Sequence, residues 1–140
     1  MKLIPVFFGL LAMFITASSS KHAGESIKGS WQVVRAQYGD EPMSEIKELT
    51  IIKTFTNTRW SGAWYNLTAK AFDGACGGTY TLKGDEYLET IEYYSWDANA
   101  IGQVAKFKLT VENGMLHQKG TISYKGNPNY IIEEWFKRID

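Results

Sequence analysis

Cysteine is almost missing from this chain: Cys76 stands alone among 140 residues, so no disulfide can form within it. Histidine is nearly as scarce, with only His22 and His117, and no histidine-cysteine-carboxylate spacing suited to a metal occurs. His117 alternates with Met115 and Lys119, the pattern of an exposed strand position. The reading is therefore no metal and no cofactor. Neither sign of charge prevails, since 15 lysines and arginines balance 15 aspartates and glutamates. They are scattered singly, which excludes the basic patches of nucleic-acid binders. Heptads, internal repeats and a Gly-x-Ser-x-Gly nucleophile motif are absent, and the glycine-rich stretch 74–78 leads into a strand instead of a phosphate-binding helix.

Long apolar runs are also missing, apart from one at the start. Residues 1–19 read as a secretory signal, with Lys2 as the charged start, an apolar run over 3–15, and Ala17-Ser18-Ser19 as the small-residue cleavage site. The run is broken by Pro5 and falls short of the roughly 20 residues that a spanning helix needs. The expectation is an exported protein, periplasmic or secreted, with no membrane span after cleavage and one domain over 20–140. Export implies an oxidising compartment, so a lone Cys76 is either a small residue in the tight Gly74-Ala75-Cys76-Gly77-Gly78 stretch, the favoured reading, or an intermolecular bridge or reactive thiol.

What is present is β-forming sequence. Runs at 30–38, 48–56, 58–66, 77–83, 86–95, 103–112, 115–124 and 129–139 are rich in branched and aromatic residues and separated by short turn signals. Gly84-Asp85, Asn113-Gly114 and Gly126-Asn127-Pro128 supply the turn chemistry of hairpins, so successive strands should pair antiparallel. The stretches 39–42 and 96–100 are predicted loops, and 44–47 a single helical turn. About eight such strands close naturally into an all-β, antiparallel up-and-down barrel. A two-sheet sandwich is the competing architecture.

Alternation assigns the interior, because residues two apart share a face. In 103–112 it selects Ala105, Phe107, Leu109 and Val111, and in 58–66 it selects Trp60 and Trp64 around Gly62. Tyr80 and Leu82 follow from 77–83, and Tyr87, Glu89, Ile91 and Tyr93 from 86–95. An unpartnered Glu89 in an apolar interior is costly, so a base should answer it. If Trp31 points inward, Val33 and Arg35 share its face, making Arg35 that partner. The final strand splits its aromatic residues between both faces and stays unassigned. The predicted ligand-binding lumen is Arg35, Phe55, Trp60, Trp64, Tyr80, Tyr87, Glu89, Tyr93 and Phe107.

Several stretches together carry a family resemblance: Gly29-Ser30-Trp31, Phe55, Gly77-Gly78-Thr79-Tyr80-Thr81-Leu82, Glu86-Tyr87-Leu88-Glu89-Thr90-Ile91-Glu92-Tyr93, and Glu133-Glu134-Trp135-Phe136-Lys137-Arg138. In that order the set is similar to the small exported bacterial lipocalin-like domains of the calycin group. The resemblance implies a closed barrel with room for a ligand, with Trp31 and Arg138 closing its floor, and it carries over no catalytic residue. The chain departs from full lipocalins in lacking a disulfide and, by its length, the helix that packs outside their barrel, which puts carriage of a large lipid in doubt.

Three functional readings remain open. One is an extracytoplasmic binding protein for a small hydrophobic or aromatic molecule, oriented by Glu89 and Arg35. Another is a barrel enzyme of isomerase or lyase type that moves a proton through a buried Glu89. The third is a structural envelope protein whose barrel is filled. Asn66-Leu67-Thr68 fits a glycosylation acceptor, a pattern common by chance.

Overall fold

The computed structural model describes residues 27–140. The predicted leader at 1–19 and His22 lie outside the described residues. Among the described residues nine strands follow one another: β1 Gly29–Tyr38, β2 Ser44–Glu45, β3 Leu49–Phe55, β4 Arg59–Asn66, β5 Ala71–Lys83, β6 Glu86–Tyr94, β7 Val104–Glu112, β8 Met115–Tyr124 and β9 Asn127–Arg138. Each long strand pairs antiparallel with the next, and β1 pairs with β9 to close the sheet. The result is an eight-strand antiparallel barrel, with the two-residue β2 added beside β1. Closure rules out the two-sheet sandwich and leaves no long unpaired edge.

Turn chemistry sets this order. Asn113 and Gly114 both take positive φ (52° and 76°), the geometry of a two-residue turn whose twist matches its flanking strands. The predicted helical turn at 44–47 is instead the short strand β2, because Arg35 and Ala36 offer backbone partners to Glu45 and Ser44. The predicted loop at 96–100 holds one turn of 3-10 helix, Ala98–Ala100, capped by Asp97. Strand β5 begins six residues before the predicted run, at Ala71.

Two bulges reset the alternation, and both correct the predicted interior. One lies between Val33 and Arg35 in the β1–β9 pairing. Trp31 and Val33 are buried on one side of it, while beyond it Ala36 takes the inward position and Arg35 faces out. The second lies between Gly77 and Gly78, where Gly77 pairs with Tyr93 and Gly78 with Ile91. Tyr87, Glu89 and Ile91 point inward, but Glu92 is the extra residue, so Tyr93 is 43% exposed and Tyr94 turns in.

The interior divides across the barrel's length. At the end where β1 begins and β9 finishes, Trp31, Phe55, Tyr87, Leu109, Leu116 and Phe136 are at most 2% exposed and pack as a solid floor. The opposite end is bounded by the β1–β3, β4–β5, β6–β7 and β8–β9 connections, and its inward side chains are mostly half-buried.

Candidate functional site

The upper half of the barrel encloses a cavity of about 250 Å³. Its walls come from all eight long strands and the β6–β7 loop. Five rings make a collar near the mouth, each touching the next. Trp64 meets Trp96 edge-on at 4.8 Å, Trp96 meets Tyr94 at 5.0 Å, Tyr94 meets Tyr124 at 6.2 Å, and Tyr124 meets Tyr130 at 4.9 Å between centroids. Two glycines let the tryptophans lie flat against the wall. A Cβ on Gly74 would come within 2.3 Å of the Trp96 ring, and one on Gly62 within 2.6 Å of Trp64. The loop that carries Trp96 is tied to the β8–β9 turn by the Lys125 N–H, which donates to Asp97 at 3.1 Å. That bond holds Asp97 below the usual carboxylate range.

A polar layer separates the cavity from the floor. Lys53, on the inward face of β3 between Ile51 and Phe55, donates to Glu89 of β6 and, at 2.8 Å, to Oε1 of Gln118 on β8. All three side chains are buried. The Lys53 ammonium also lies 4.6 Å above the Trp60 ring and 5.4 Å from those of Phe55 and Tyr87, so its positive charge meets ring faces as well as the carboxylate. Beside this group, Tyr38 donates to Oε1 of Glu134 at 2.7 Å. Burial pushes the Glu134 carboxyl above its ordinary range, opposed by the Lys53 charge and the Tyr38 bond and reinforced by Glu89. Burial and the Glu134 charge likewise raise the Tyr38 hydroxyl. Cys76 lines the same space, and its thiol is pushed far up, first by burial and then by Glu89, which leaves it a poor nucleophile. Among the described residues no cluster of metal-binding side chains occurs.

The predicted site residues separate accordingly. Trp60, Trp64, Glu89 and Phe107 border the cavity. Phe55, Tyr80 and Tyr87 belong to the packing beneath it: Phe55 contacts both tyrosines edge-on, and the Tyr80 hydroxyl donates to the Thr56 carbonyl at 2.6 Å. Arg35 and Tyr93 reach neither region. Arg35 lies on the outer wall, 4.5 Å over the ring of Trp135, which is itself stacked on His117. His117 meets Glu133 there at 2.9 Å, so it is a half-buried partner on the outer face rather than a freely exposed side chain. The base that answers Glu89 is Lys53, and the sequence carries its signal, because Lys53 shares the parity of the inward-facing Phe55. Glu134, Tyr38, Tyr94, Tyr124 and Tyr130 were also missed. Beneath the floor, the Arg138 guanidinium lies 4.4 Å over the ring of Trp31, whose indole N–H donates to the Ile27 carbonyl at 2.7 Å.

No protein-family model and no curated protein matches the chain, so the likeness lies in solved structures. A lipocalin-like protein from Bacteroides uniformis superposes with a TM-score of 0.53 at 19% identity, over 81% of this chain and 98% of that one. An uncharacterized protein from Bacteroides eggerthii gives 0.53 at 17%, over 81% and 99%. The fold is lipocalin-like. Within this lipocalin-like barrel, the solid floor and the hollow upper half share one set of strands, so a single register decides which side chains pack the floor and which line the cavity.

Proposed function

We propose that the protein is an exported carrier of a small hydrophobic or aromatic molecule, held in the upper half of the barrel. The observation that carries this reading is the cavity of about 250 Å³ ringed by five aromatic side chains above a buried polar layer. Ligand sites are typically apolar with a few fixed polar groups and occupy about 300–1,000 Å³, so this one suits a compact guest. Export rests on the leader pattern of residues 1–19. The isomerase or lyase reading is disfavoured because Glu89 is held by Lys53 in a buried pair, which ties up the carboxylate that would accept the proton. The filled-barrel reading accounts for the floor but leaves the upper cavity without a purpose. Native mass spectrometry on protein recovered from the cell that exports it tests the proposal. A reproducible extra mass that is lost on denaturation is expected, whereas equal folded and denatured masses would turn the reading toward a structural barrel.

A further inference from the structure

The ionisable side chains that border the cavity do not balance. Lys53 is the one cationic residue among them, against Asp73, Glu89 and Glu134. Lys53 is committed to Glu89 and Gln118. Glu134 is only 5% exposed, yet among the described residues no lysine, arginine or histidine forms an ion pair with it, and its single hydrogen bond comes from Tyr38 to one of its two oxygens. A buried carboxylate in this state either takes up a proton or awaits a positive charge. Asp73, at the mouth, is exposed and likewise has no ion pair among the described residues.

Between these two acids stand the collar rings. Aromatic faces attract cations, most strongly where water is excluded. The barrel already uses that attraction twice near this space: Lys53 lies over Trp60, and Lys125 sits 5.1 Å from the Tyr124 ring. A neutral apolar guest would leave Glu134 as costly as it is in the empty barrel. An anionic one would add to the excess of carboxylates.

We propose that the cavity takes a small organic cation, an ammonium group on a compact aryl or alkyl body, with its charge met by Glu134 and its body held among the rings of Trp64, Trp96, Tyr94, Tyr124 and Tyr130. This deepens the carrier reading and rests on it. Asp73 favours entry of the cation at the mouth, and Glu134 with Tyr38 fixes its head at the base. The volume of about 250 Å³ limits the body to roughly the size of a single ring with a short tail.

The test compares three probes of one shape by calorimetry on the folded protein: 2-phenylethylammonium, 2-phenylethanol and phenylacetate. The ammonium should bind at least about tenfold more tightly than the alcohol, and phenylacetate most weakly. Glu134→Gln keeps an acceptor for Tyr38 but removes the charge, and should bring the ammonium down to the alcohol's affinity while leaving the alcohol unchanged. Asp73→Asn, at an exposed position, should weaken the ammonium by a smaller factor, so the comparison survives if Glu134→Gln fails to fold. Equal or tighter binding of the alcohol or the acid would overturn the cation while leaving the carrier reading in place. No binding by any of the three, together with an empty native mass spectrum, would overturn both.

Discussion

The two ends of the barrel are built from the same strands and yet use aromatic residues in opposite ways. In the floor, Trp31, Phe55, Tyr87 and Phe136 are at most 2% exposed, and of these four Phe136 alone also meets the cavity above. In the collar, Trp64, Trp96, Tyr94, Tyr124 and Tyr130 are half-buried, meet edge-to-face or tilted, and border a void. Tight packing makes the floor the source of stability, because each methylene there lies in full contact. The collar rings are only half-buried, so they should contribute less to folding, and they line the cavity. Lys53, Glu89 and Gln118 form the boundary between the two regimes.

Truncation should separate the halves most sharply. Phe136→Ala in the floor should cost about 3–5 kcal/mol, whereas Trp96→Ala in the collar should cost about 1 kcal/mol or less; denaturant titration compares them directly. Similar losses at both sites would erase the distinction. The boundary comes next. Lys53→Met strands Glu89 as a buried unpaired charge and should destabilise by about 3 kcal/mol, while adding Glu89→Gln to that variant should recover much of the loss. A double mutant no better than the single would show that the ion pair is not what makes the layer costly to disturb.

Beneath the floor, Arg138→Ala removes the guanidinium from the Trp31 face and should cost about 1 kcal/mol, read as a small drop in Tm with no change in ligand affinity. The smallest effect concerns Glu134. Its folded carboxyl is raised by burial, so the native state favours the protonated form. Stability linked to it is present below the unfolded carboxyl range and is lost as pH rises through the folded value. Glu134→Gln should therefore melt slightly higher than the parent at neutral pH, with the gap closing in acid. A gap that does not vary with pH would contradict the assigned cause.

Much of the fold was legible because strand period and turn chemistry agree. The run at 103–112 alternates cleanly, and Ala105, Phe107 and Leu109 are all buried in β7. Trp60 and Trp64 flank Gly62 in the sequence and reach the interior together in β4. Where reading failed, the cause was a bulge: one extra residue after Val33 turned Arg35 out, and one after Ile91 exchanged Tyr93 for Tyr94. Bulges leave little trace in a single sequence, since an alternating pattern continues on either side with its phase reversed. Glu134 was hidden for a different reason. Both faces of β9 carry large residues, because its outer face is also covered, with Trp135 stacked on His117 and topped by Arg35.

The connected collar would also make the protein its own optical reporter. Tyr94, Tyr124 and Tyr130 sit in a connected row of rings that ends at Trp96 and Trp64. Light absorbed by those tyrosines would pass to two tryptophans that line the cavity, so their emission would report the entry proposed above. Trp31, sealed in the floor, does not line the cavity and would keep its emission unchanged. Occupation of the cavity, if the carrier proposal holds, would therefore be read as a change in intrinsic tryptophan emission, without attaching a dye.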